Sequence, residues 1–288
     1  VYVAADREQK GVAIKEYLPN TLALRSEGQT APIISEEHLP AFRYGMKCFF
    51  EEGRALAGLS HPNVIRVLNF FRANDTVYMV MEYEHGRTLQ DLIQKNRAVV
   101  TENFMRNVFT KMLNGLREVH AHRLLHLDLK PSNIYMRNSH TPVLIDFGAA
   151  RQTLACDTPM LKPMYTPGFA SPEHYNRRDL LGPWSDIYSV GASMYACISG
   201  STPQPADERM EKDRLVPAMV RWQGLYSDQL LETIDWCLSL NHGYRPQSVF
   251  ALQKALTEPV IAPASTSVGQ KDSLLRQVVG KLKKTRDQ

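Results

Sequence analysis

Residues 1–84 read as short strands around a single helix, and most of the chain beyond them reads as helices, so the protein is of the α+β class. Two observations carry this. Up to Glu82 the apolar residues gather in short runs rich in Val, Ile, Tyr and Phe, bounded by turn residues. Beyond Thr101 they recur at helical spacing instead. Composition agrees: 288 residues, 43% hydrophobic and 22% charged, give an ordinary globular balance with room for one large domain or two lobes. No apolar run approaches the roughly 20 residues of a membrane-spanning helix, and the first residues do not read as a signal peptide.

Residues 1–5 form the first expected strand, 6–11 a turn and 12–15 a second strand. Residues 18–40 hold Pro19, Pro32 and Pro40 and are expected as a long loop. From 42 to 59, Phe42, Met46, Phe49, Phe50, Leu56 and Leu59 suit a helix packed on one face. Two more strands are expected at 64–71 and 76–82, joined by a turn at Ala73-Asn74-Asp75. Thr101 is an N-cap for a helix whose stripe is Phe104, Val108, Met112, Leu116 and Val119, widened by Met105, Phe109 and Leu113. Two later helices are expected at 227–240 and 247–256.

The chemistry is concentrated in His126-Leu127-Asp128-Leu129-Lys130-Pro131-Ser132-Asn133 and, after the apolar strand Val143-Leu144-Ile145, in Asp146-Phe147-Gly148. One loop thus offers a carboxylate, an ammonium and an amide, and a strand end offers a second carboxylate. Oxygen ligands such as Asn133 and Asp146 suit Mg²⁺, which keeps phosphate oxygens in its shell. Asp128 is then left to take a proton from an incoming hydroxyl, with Lys130 steadying the charge on a moving phosphoryl group. A lone Asp or Asn in a loop is usually a turn-former; the weight lies in the set.

That set, His-x-Asp-x-Lys-x-x-Asn followed by Asp-Phe-Gly, resembles the catalytic and metal-binding loops of the protein kinases. The resemblance covers roughly residues 1–256. It implies the bilobal protein kinase fold, with a small antiparallel-sheet N-lobe carrying one helix and a larger, mostly helical C-lobe. Residues 1–84 would be the N-lobe and hinge, starting after a glycine-rich loop that would precede Val1. Residues 85–258 would be the C-lobe, and 259–288 a linker and basic amphipathic tail.

Residue roles come from the same resemblance. Lys15, in Val12-Ala13-Ile14-Lys15, would reach the α- and β-phosphates of ATP. Its carboxylate partner would be Glu52 and not Glu51, by the register before His61-Pro62-Asn63. Met81 would guard the back of the nucleotide pocket, and Glu82, Tyr83 and Glu84 would form the hinge. Val3, Ala13 and Tyr135 complete the expected nucleotide contacts. Asn133 and Asp146 would hold Mg²⁺, with Mn²⁺ as the alternative ion, while His126 is a packed structural residue. The stretch 146–173, with Thr153, Thr158 and Tyr165, is similar to an activation segment closing in Ser171-Pro172-Glu173, and Glu173 would pair with Arg245. Trp184-Ser185-Asp186 would open the central C-lobe helix, with Asp186 bonded to catalytic-loop backbone.

Thr166 together with Lys130 is the pattern of Ser/Thr-directed kinases. Lys15-Glu16-Tyr17-Leu18-Pro19, the long insert and Arg245-Pro246-Gln247-Ser248 look most like the bacterial ones. The implied function is ATP- and Mg²⁺-dependent transfer to protein Ser/Thr hydroxyls, self-phosphorylation included. The alternative is a pseudokinase that binds nucleotide and partners without transfer. One position departs from the pattern: Leu127 stands where the usual motif has Arg, and an apolar side chain cannot pair with phosphate. Activity is therefore expected not to depend on phosphorylation of the segment.

Cys48, Cys156, Cys197 and Cys237 are scattered, with no C-x-x-C pair, and are expected as buried reduced thiols of a cytoplasmic protein. Residues 271–288 carry six Lys/Arg against two Asp, which accounts for the whole net charge of +4. The balanced remainder gives no charge argument for nucleic acid. In the tail, Leu274, Leu275, Val278, Val279 and Leu282 share a helical face, with Arg276, Lys281, Lys283 and Lys284 elsewhere. Such a helix docks on a partner, a lipid surface or the kinase itself, or stays solvated.

Overall fold

The structure, a computed structural model, describes residues 1–147 and 165–257. The first sheet contains β1 (Tyr2–Ala5), β2 (Gly11–Glu16), β3 (Val67–Ala73) and β4 (Thr76–Glu82), antiparallel in the order β1-β2-β4-β3. One helix, α1 (Leu39–Ala57), packs on it. It starts earlier than its apolar pattern indicated, because Pro40 falls in its first turn and not at the end of the loop. Proline is tolerated there, since its missing N–H has no partner to lose. Phe42, Met46, Phe49, Glu52 and Leu56 form the buried face of α1. Gly45 is needed on that face: a Cβ would meet the Tyr17 hydroxyl at 1.8 Å.

The strand expected at 64–71 begins only at Val67. Val64 and Ile65 leave the first sheet and meet Leu144, Ile65 N donating to its carbonyl at 2.9 Å. The cause is Asn63, whose amide donates to the Pro142 carbonyl at 2.7 Å and whose own carbonyl accepts from Leu144 N at 2.9 Å. The 18–38 insert is irregular apart from a Leu24–Ile33 bridge, yet it is fastened. Ala23 is buried, and Arg25 Nη1 donates to Glu16 Oε2 at 3.0 Å.

A second antiparallel sheet has the order β5 (Gly86–Thr88), β6 (Ile134–Arg137), β7 (Pro142–Leu144). The short α2 (Leu89–Lys95) comes directly after β5 and is capped by Thr88, which accepts from Asp91 N at 3.0 Å. Next comes α3 (Glu102–Ala121), capped as expected by Thr101, which accepts from Phe104 N at 3.2 Å. Met105, Phe109, Met112, Leu113, Leu116 and Val119 of α3 are fully enclosed, each stabilising the fold by roughly 1.5–3 kcal/mol. Among the described residues the remaining α-helices are α4 (Pro172–Asn176), α5 (Pro183–Ser199), α6 (Ala206–Glu211), α7 (Ala218–Arg221), α8 (Asp228–Cys237) and α9 (Val249–Thr257). Every residue of α5 from Ser185 to Ile198 is buried, as befits a helix surrounded by others.

Cys48, Cys197 and Cys237 are buried. Among the described residues no helix is long and apolar enough to cross a membrane. Gly148, Thr153, Cys156, Thr158, the 259–269 linker and the basic tail lie outside the described residues.

Candidate active site

Ala13, Lys15, Glu52, Met81, Glu82, Glu84, Tyr135 and Asp146 all line one cavity of about 290 Å³ between β2, β4, α1 and the stretch after β7. Val3 does not line it. It pairs with Ala13 in register but is 68% exposed, and Val1, two residues earlier on the same pleat face, lines the cavity instead. Leu56, Ile65, Met79 and Ile145 also line it; each belongs to an apolar run that the sequence marks as core and nothing marks as site. A larger cavity, about 620 Å³, lies between the insert, α1 and the β3–β4 turn, and contains none of the expected site residues.

Across the first cavity the Lys15 ammonium donates to Asp146 Oδ1. Burial alone would push the Asp146 carboxyl up; the Lys15 charge and hydrogen bond, with Lys130 behind them, hold it below the usual carboxylate range. Asp146 sits at φ 60°, a left-handed conformation that Asp tolerates better than most residues. Glu52 is buried on α1 and lines the same cavity as Lys15.

The loop 126–133 is fixed from below by Asp186, which is wholly enclosed in α5. Its carboxylate accepts from His126 N at 2.9 Å and from Leu127 N at 2.7 Å. His120 Nε2 lies 2.7 Å from the same carboxylate, a partner for which the sequence carries no distinguishing signal. Burial opposes the Asp186 charge, but the His120 hydrogen bond and the His126 contacts hold its pKa below the ordinary value. Leu127 is buried at φ 62°, so the left-handed turn before Asp128 is held by those two bonds to Asp186.

His126 is wholly buried, and burial lowers its pKa despite the carboxylates of Asp186, Asp128 and Asp146 nearby. The bonding suits a neutral ring: Nε2 donates to the Ile145 carbonyl at 3.2 Å, and Nδ1 accepts from Asp128 N at 3.4 Å. The ring also packs on Phe147, centroids 4.4 Å apart, so it aligns the two chemical stretches.

Asp128 is where the loop's side chains converge. Its Oδ1 accepts from the Thr166 hydroxyl at 2.7 Å, and its Oδ2 accepts from Lys130 Nζ at 2.8 Å and Asn133 Nδ2 at 3.0 Å. Lys130 Nζ also donates to Thr166 Oγ1 at 2.7 Å. Asn133 Nδ2 is further held by the Asp128 carbonyl at 2.8 Å, so it is the amide oxygen that would face a metal ion. Ile145 N donates to the Asn133 carbonyl at 3.0 Å, which ties Asn133 to the backbone next to Asp146. One amide oxygen and one ionised carboxylate fit Mg²⁺, which is bound through few protein oxygens with phosphates and water completing its shell.

The segment after Thr166 is anchored by a buried ion pair. Arg245 Nη2 lies 3.0 Å from Glu173 Oε1, and Nη1 donates to Oε2 at 3.3 Å. The guanidinium also donates to the carbonyls of Ser239, Leu240 and Trp184 at 2.7, 2.9 and 3.1 Å.

Comparison with known proteins agrees with this geometry. Residues 34–260 match the family model described as protein kinase domain. Serine/threonine-protein kinase Nek2 of Homo sapiens is 34% identical over 230 residues, covering 73% of this chain and 49% of that protein. Serine/threonine-protein kinase B of Synechocystis sp. is 29% identical over 231 residues, covering 76% of this chain and 39% of that one. The chain thus spans about half or less of these relatives' length. The solved structure described as "PpkA-294 apo form" is 33% identical with a TM-score of 0.78, covering 88% of this chain and 90% of its own. Two lobes, a cleft between Lys15 and Asp146, and a loop converging on Asp128 are the protein kinase fold, and the chain belongs to the protein kinase family.

Proposed function

We propose that this chain transfers the γ-phosphoryl group of ATP to Ser or Thr hydroxyls of proteins, itself included. The observation that carries the reading is the convergence of Lys130 and Thr166 on the Asp128 carboxylate, opposite the cleft residues Lys15 and Asp146. The similarity to proteins described as serine/threonine-protein kinases supports the same acceptor. In this reading Lys15, steadied by Glu52, holds the nucleotide phosphates. Asp128 orients the acceptor hydroxyl and takes its proton, while Lys130 offsets charge on the phosphoryl oxygens. Asn133 and Asp146 would hold Mg²⁺, or Mn²⁺ in its place, which when bound neutralises charge on the phosphates.

With Leu127 buried before Asp128, the loop has no guanidinium at that position to answer a phosphorylated segment. We therefore read the enzyme as active without that modification. The buried free thiols of Cys197 and Cys237 support a reducing, cytoplasmic setting. Leu127 is also the feature that favours a nucleotide-binding scaffold without transfer. Incubation with labelled ATP, Mg²⁺ and a generic protein substrate separates the two: label in protein, lost in Asp128→Ala, is expected. Nucleotide binding with no label in any protein would leave the scaffold.

A further inference from the structure

The hinge residue Glu84 lines the cleft, yet its carboxylate is committed elsewhere. Arg137, the last residue of β6, donates from Nε to Glu84 Oε2 at 2.6 Å and from Nη2 to Oε1. Its remaining nitrogen, Nη1, donates to the Pro62 carbonyl at 2.7 Å. The pair is largely enclosed, with side chains 26% and 12% exposed. The hinge backbone is gripped by the same strand: the Tyr135 hydroxyl donates to the Glu84 carbonyl at 3.2 Å. Just beyond β6, Asn138 N donates to the His85 carbonyl at 3.0 Å. The approach is close enough to require glycine, since a Cβ on Gly86 would meet the Met136 carbonyl oxygen at 2.0 Å.

We propose that Arg137 is a positioning residue for the adenine nucleotide. It staples the hinge to the C-lobe sheet and, through Pro62, to the turn that joins α1 to β3. This inference rests on the nucleotide-binding reading of the cleft. A planar guanidinium holding both carboxylate oxygens restricts direction as well as distance, which a point charge cannot do. The staple sets where the hinge backbone stands over the cavity and keeps a negative charge at the cleft wall neutralised. Without Arg137 the Glu84 carboxylate is left mostly enclosed and unpaired, and it must draw in water or swing the hinge. Either outcome disturbs nucleotide binding. Asp128 and Lys130 belong to a separate loop fixed by Asp186, so the transfer step is not disturbed.

The test uses the chain 1–288 and reads ATP affinity by displacement of a fluorescent adenine nucleotide, alongside steady-state kinetics. Arg137→Ala should raise Kd and KM for ATP about tenfold, as loss of a charge-assisted pair does, with kcat within about twofold of the parent. Arg137→Lys should fall between. The double variant Arg137→Ala/Glu84→Ala should bind better than Arg137→Ala alone, because no unpaired carboxylate remains. Unchanged affinity in Arg137→Ala overturns the inference, and so does a loss confined to kcat. If Arg137→Ala does not fold by circular dichroism, the comparison is made on Arg137→Lys and Glu84→Gln, and unchanged ATP affinity in both overturns it equally. A parent protein that binds no adenine nucleotide refutes the phosphotransfer reading itself, a different and separately visible result.

Discussion

The hydroxyl of Thr166 donates to the Asp128 carboxylate at 2.7 Å, although the two residues are 38 positions apart. Lys130 closes the triangle from the other side. Because the contact is a hydroxyl on a carboxylate, Thr166→Ser should keep most of the activity, and Thr166→Ala should lower kcat by about tenfold. Asp128→Ala should cost roughly 10²–10⁴-fold, the usual worth of a positioned general base. Initial rates of label transfer to a generic protein substrate check all three; near-parental turnover in Asp128→Ala would remove Asp128 from the mechanism.

Lys15 and Asp146 grip the cleft from opposite sides. Lys15→Met should weaken ATP binding by at least about tenfold through loss of its charge, read by nucleotide displacement. The Asp146 pKa is lowered in the fold, so its contribution to stability is complete above the unfolded carboxyl value near 3.9 and is lost only as pH falls through the folded value. Removing Lys15 leaves burial unopposed, so the Asp146 pKa should rise, and stability should then fall as pH rises from the unfolded carboxyl value toward the folded one, as urea midpoints compared with the parent would show.

Two buried histidines, His126 and His174, have pKa values lowered by burial. Below about pH 6.5 the unfolded chain takes up protons that the folded chain refuses. Stability should then fall as pH drops below that value, by up to about 1.4 kcal/mol per pH unit for each group. Urea midpoints at pH 8, 7, 6 and 5 check this, and a flat profile would contradict it.

Glu173 and Arg245 are 4% and 0% exposed in their side chains, so removing one strands the other. Arg245→Ala or Glu173→Ala should destabilise the fold by about 3–5 kcal/mol, measured by urea unfolding. A change below about 1 kcal/mol would place the pair among the weak surface bridges.

Treatment with a phosphatase should leave activity nearly unchanged, since buried Leu127 provides no partner for a phosphorylated segment. A near-total loss of label transfer after treatment would refute this.

Sequence alone determined the strands of the first sheet, the helix packed on it, the long helix after Thr101 and where the chemistry is concentrated. The helical stripe from Met105 to Val119, the Thr101 cap, and the order of groups from His126 to Asp146 come from local periodicity and spacing. The Glu173–Arg245 partnership was legible as well, through the family pattern. Tertiary structure decided which of two residues on one pleat face, Val1 or Val3, reaches the cavity, because alternation gives the face and says nothing of how far along the strand the cavity lies. It also decided that Val64 and Ile65 join Leu144, and that His120 serves Asp186. Arg137 is the clearest case. Its partners Glu84 and Pro62 lie 53 and 75 residues away, and no local pattern marks a surface-like arginine as the one whose fork will meet a hinge carboxylate once two lobes have folded together.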